Sequence, residues 1–198
     1  MDTFFIQTLS SLSIQLFIKA VTAYQYKNTT LQNKWIYFLF NIVLALLMYQ
    51  QKIPVHMRYG LLIVFSIFNG YLLSVFLKKT PSHVIKKNIV YTLSIFLLMI
   101  GIAFGFMKYD VDIAPYMFFG FLYTSAMSIM FIYMLLFDPM GNHLQKYRLL
   151  SIGLFSLYIV LDTYMNYDKE YDNDIVISTL DYYFDVYGIF KNLSTSSE

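Results

Sequence analysis

The chain has no cysteine among its 198 residues. Disulfides, cysteine-ligated zinc and thiol nucleophiles are therefore excluded, although the absence does not fix the compartment. Charge is also scarce. Only 13% of the residues are charged, against about 25% in ordinary soluble domains. The net charge is +2, and no basic patch is interleaved with aromatics as a nucleic-acid groove requires. No polar block is long enough to form a separate soluble domain. Catalytic signatures are missing as well: there is no HExxH, GxSxG, P-loop or GxGxxG. His56, His83 and His143 fall between apolar runs and not at ligand spacing. An intramembrane aspartyl protease would need a GxGD motif, which is absent. The expectation is that this protein is not an enzyme and carries no cofactor.

What is abundant is apolar sequence. Hydrophobic residues make up 58% of the chain, and they come in long blocks without helical or strand alternation. That pattern describes a polytopic membrane protein whose first partner is the lipid bilayer. We expect an all-α bundle of six to seven transmembrane helices, forming a single domain over residues 1–198 with 191–198 as a short polar tail. The runs are Phe4–Tyr24, Trp35–Tyr49, Tyr59–Leu77, Ile89–Met107, Ile113–Phe137, one from Tyr147 past Asp162, and Ile175–Phe190. The first is a marginal span, since it carries Gln7, Gln15 and Lys19, and an interfacial amphipathic helix is the alternative. Trp35, Tyr37 and Tyr49 suit interfacial anchoring. Pro54, Pro81 and the Asp138-Pro139-Met140-Gly141 stretch mark turns. Gly101 and Gly105 form a GxxxG spacing that lets helices approach closely. The last run, at about 16 residues, would reach only about 24 Å. It reads as a tilted span or a re-entrant segment.

Loop charges leave the orientation open. With seven spans, Lys27, Lys34, Lys78, Lys79, Lys86, Lys87, Lys146 and Arg148 lie on one side, and Lys52, Arg58, Lys108 and Lys169 on the other. That bias puts the N-terminus outside the cytosol. If the first segment does not span, the N-terminus moves to the cytosolic side.

Carboxylates are the residues that stand out. Asp162 lies in the sixth run and Asp185 in the seventh, with Asp181 one turn before Asp185 on the same helix face. A charge at a membrane-helix centre costs roughly 2.5–3.5 kcal/mol even on lenient scales. An antiparallel hairpin of the two helices could bring Asp162 and Asp185 together. Such a pair titrates as a unit and offers hard oxygen ligands suited to calcium. It could equally share a proton and lock two helices. Asp168, Glu170, Asp172 and Asp174 make an acidic loop, expected to be solvated.

The C-terminal hairpin resembles the Bax inhibitor-1 family of transmembrane proteins. The matching stretches are Val160-Leu161-Asp162-Thr163-Tyr164-Met165, Asp174-Ile175-Val176, and Leu180 to Phe190 through Asp181 and Asp185. Upstream, Arg58-Tyr59-Gly60-Leu61-Leu62 and Thr80-Pro81-Ser82 are similar to the family's entries to its third and fourth helices. Tyr164 replaces the usual Gln, the second run has no internal Arg, and the tail Leu193-Ser194-Thr195-Ser196-Ser197-Glu198 lacks a lysine cluster. The resemblance implies a seven-helix protein of the endoplasmic reticulum, Golgi or a related membrane. It implies a pH-sensitive calcium leak that suppresses stress-induced cell death. Asp162 and Asp185 would be the dyad that binds calcium or shares a proton and gates the path, and Asp181 a secondary carboxylate. A non-conducting adaptor acting on apoptosis-regulating membrane proteins is the other reading.

Overall fold

A computed structural model describes residues 3–26, 34–78, 80–137, 143–167 and 174–195. Among these there are seven helices and no strands: α1 Thr3–Gln25, α2 Lys34–Met48, α3 Val55–Leu77, α4 Ser82–Lys108, α5 Ala114–Phe137, α6 Leu144–Tyr167 and α7 Ile175–Thr195. Five of them, α1 and α3 to α6, are long and apolar enough to cross a membrane. The all-helical, multi-pass expectation is met. The 138–141 turn lies outside the described residues.

Helix starts follow the prolines. α3 begins directly after Pro54 and α4 directly after Pro81, because a proline ring suits the entry to a helix but not its interior. Both helices therefore take in polar residues beyond the apolar runs. Arg58 lies inside α3, and Lys86 and Lys87 inside α4. α7 does not stop at Phe190. It continues to Thr195 for 21 residues, about 31 Å at the usual rise. It is one unbroken helix of spanning length, and the expected polar tail is helical as far as Thr195.

In hydrocarbon a hydroxyl must find a partner close by. Most here bond back to the carbonyl one turn earlier: Thr22 to Ile18, Thr92 to Asn88, Thr124 to Gly120, Ser151 to Tyr147, Ser156 to Ile152 and Thr163 to Ile159. This local bond lets Ser and Thr sit in apolar helices at little cost.

The chain forms two compact units. Unit 1 is residues 1–82 with 169–183, and unit 2 is residues 83–168 with 184–198. α7 thus gives its first half to one and its second half to the other.

In unit 1, α3 packs against both α1 and α2. Gly70 permits the first contact, for a Cβ there would stand 2.6 Å from the Lys19 carbonyl oxygen and 2.7 Å from the Thr22 Cβ. On the α2 side, Asn69 Nδ2 donates to Asn41 Oδ1 at 2.7 Å, and the Phe40 and Phe68 rings meet at 4.7 Å. Phe65 of α3 reaches the Tyr183 ring at 5.4 Å.

In unit 2, α5 packs on α6. Tyr123 donates to the Leu150 carbonyl at 2.8 Å, and the hydroxyls of Thr124 and Tyr158 are hydrogen-bonded. α6 meets α7 where Gly188 faces Phe155: a Cβ at Gly188 would fall 2.5 Å from the ring. Asn88 of α4 donates to Ser194 of α7 at 3.3 Å. The GxxxG pair behaves otherwise than expected. A Cβ at Gly101 or Gly105 would meet nothing within 4 Å, so this spacing marks no close helix contact among the described residues.

Candidate ion-binding site

Asp162 sits in the tightest part of α6. Ile159, Val160 and Leu161 precede it and Thr163 follows, all buried, and Asp162 itself is 6% exposed. Asp185 of α7 is 5% exposed, with Val186 and Ile189 buried beside it. Both acids belong to unit 2. Apolar helix sequence flanks each of them.

Asp181 is placed differently. It lies in unit 1, where the Tyr49 hydroxyl, just past the end of α2, donates to its Oδ1. The two acids of α7 are one turn apart, yet they fall in different units. Asp181 is engaged as a helix-fixing acceptor.

A hard cation needs six to eight oxygens, and two carboxylates supply four at most. Among the described residues no three His, Cys, Asp or Glu side chains converge. Neutral oxygens would have to complete a site. Asn166 is the candidate that sequence reasoning missed. It stands one turn after Asp162 on the same face of α6 and is fully buried. Neither end of its amide has a hydrogen-bond partner among the described residues. Thr163 is less suited, because its hydroxyl is already given to Ile159. The signal was legible: an Asn four residues after a membrane aspartate.

The second charged cluster was not foreseen. Asp174 was expected in a solvated loop. Residues 168–173 of that loop lie outside the described residues, but Asp174 is not solvated. Its side chain is 8% exposed and its Oδ2 is 2.5 Å from Nη1 of Arg58, itself 4% exposed. Asp174 Oδ1 also accepts from the backbone of Val176 at 3.1 Å and Ile177 at 3.3 Å, so it caps α7. Arg58 in turn donates from Nε to the Ile53 carbonyl at 3.1 Å and from Nη1 to the Met48 carbonyl at 3.4 Å. One guanidinium thereby joins the end of α2, the following turn and the start of α7. Arg58 is not a loop charge, and it drops out of the orientation count.

Lys19 is the other buried cation, at 3% exposed. Its Nζ lies 4.5 Å from the centroid of the Tyr183 ring, a cation–π contact. A residue that made α1 look marginal is part of that helix's buried face.

Residues 1–195 match the sequence model of a family described as inhibitor of apoptosis-promoting Bax1. No curated protein matches the chain.

Proposed function

Since this chain belongs to the Bax inhibitor-1 family, we propose that it is a calcium leak of an intracellular membrane, gated by Asp162 and Asp185. The observation that carries this reading is the burial of two acids, from different helices, in one compact unit. Two like charges held at membrane depth do not both ionise cheaply. A proton on the pair closes it; loss of the proton admits a divalent cation. Asn166 adds a neutral oxygen. No covalent chemistry is asked of the protein. Its effect is passage of the ion down its gradient, which lowers stored calcium in the endoplasmic reticulum or Golgi and damps cell death.

The test is calcium efflux from liposomes holding the purified protein, at about pH 6 and about pH 8. Wild type should leak more at the higher pH, and Asp185→Asn should lose that pH dependence. No leak from well-folded wild type at either pH would sink the channel reading.

A second reading has its own support. Two other acids, Asp174 at the start of α7 and Asp181 within it, are taken up in fixing helices. If Asp162 and Asp185 do the same, the protein is a non-conducting adaptor that binds apoptosis-regulating membrane proteins. Asp185→Asn would then lower stability or partner capture, and no flux would be present to change.

A further inference from the structure

We propose that unit 1 holds a water-filled polar seam between α1 and the first half of α7, separate from the Asp162 and Asp185 site. Its lining is Thr8, Ser11 and Lys19 of α1 with Ser178, Thr179 and Tyr183 of α7. The ligand it takes is water, as a hydrogen-bonded chain.

Six Ser and Thr side chains named above bond back to their own helix. Thr8, Ser178 and Thr179, all with no exposed surface, do not. Their hydroxyl oxygens have no hydrogen-bond partner among the described residues. The back-bond is open to any Ser or Thr in a helix. Leaving it unused in a buried place is costly unless another partner is present. Water is the partner that fits a site with several polar groups and no protein acceptor.

Position supports a continuous seam. Thr8, Ser11, Gln15 and Lys19 recur on one face of α1, and all are buried. Gln15 is tied across to α3, accepting from the Ser66 hydroxyl at 2.6 Å. Ser11 lies beside the Tyr59 hydroxyl, close enough to Asp174 to feel its charge. On α7, Thr179 stands one turn before Tyr183, and Tyr183 carries the Lys19 ammonium on its ring. Ser178 stands one turn after Asp174, where α7 leaves the loop. The hydroxyls therefore run from the charged Arg58–Asp174 end toward the buried lysine.

The natural lack of cysteine makes the test clean. Thr179→Cys and Ser11→Cys are each introduced singly, and the protein in lipid vesicles is treated with a membrane-impermeant methanethiosulfonate. Only a hydrated, ionised thiol reacts, so both positions should label roughly tenfold or more faster than Leu97→Cys, a lipid-exposed control on α4. Equal rates in monodisperse, folded protein would overturn the seam. Should Thr179→Cys fail to fold, Ser178→Cys replaces it. Thr179→Val gives an independent measurement. It removes the hydroxyl at constant shape, so an unchanged or lowered Tm is expected if water is bound there. A raised Tm means a dry, unsatisfied hydroxyl and overturns the proposal.

Discussion

Unit 1 buries charges of both signs, and unit 2 buries acids. Among the described residues the buried charged side chains of unit 1 are Lys19, Arg58 and Asp174, and those of unit 2 are Asp162 and Asp185. In unit 1 the neutralising groups are protein: the Asp174 carboxylate and the Tyr183 ring. In unit 2 both buried charges are acids, and among the described residues no basic side chain there is buried. A buried pair of opposite charges locks a fold, because either member alone is strongly penalised. The two acids of unit 2 carry charge of one sign, from two different helices. The difference lies between a region that buries an ion pair and one whose buried charges are alike.

The largest effect should come from breaking the ion pair of unit 1. Arg58→Met leaves Asp174 buried without its cation and should cost about 3–5 kcal/mol. Thermal unfolding in detergent measures it. Adding Asp174→Asn to Arg58→Met should recover much of the loss, which a double-mutant cycle would show. If the two losses simply add, the pair is not coupled.

Next in size is glycine packing, where the two units again differ within themselves. Gly70→Ala drives a methyl into the Lys19 backbone, which cannot step aside, and should destabilise by about 1–3 kcal/mol. Gly188→Ala meets the Phe155 ring instead, so Phe155→Leu should relieve it. Gly101→Ala and Gly105→Ala enter open space and should be neutral or gain up to about 1 kcal/mol from helix propensity. Parallel melting curves of the four variants decide the order.

The smallest effect belongs to Tyr49→Phe. It removes one hydrogen bond to Asp181 at a partly exposed position and should cost about 0.5–1.5 kcal/mol. The same substitution should leave any calcium flux of the protein unchanged, since Asp181 lies outside the unit that holds Asp162 and Asp185. A flux change equal to that of Asp185→Asn would merge the two regions that the fold separates.

Much of this architecture can be read from the chain itself. Apolar blocks bounded by Pro54 and Pro81 mark where α3 and α4 lie, and an aspartate within an apolar run singles out Asp162 and Asp185. What escapes a linear reading is whatever depends on distant partners. Asp174 sits in an acidic string and looks solvated, because its cation is Arg58, 116 residues away. Lys19 and Gln15 weaken the apparent hydropathy of α1, yet both face inward. The Gly101–Gly105 spacing is a local pattern with no close contact among the described residues, whereas Gly70 and Gly188 belong to no GxxxG spacing and carry the close contacts.

α7 has a consequence for biosynthesis. It leaves the ribosome after α1 to α6, and it contributes to both compact units. Until residues 174–195 follow, the buried Arg58 and Lys19 are short of Asp174 and Tyr183. Chains interrupted before Ile175 would leave each unit open, and should be the forms that membrane quality control removes.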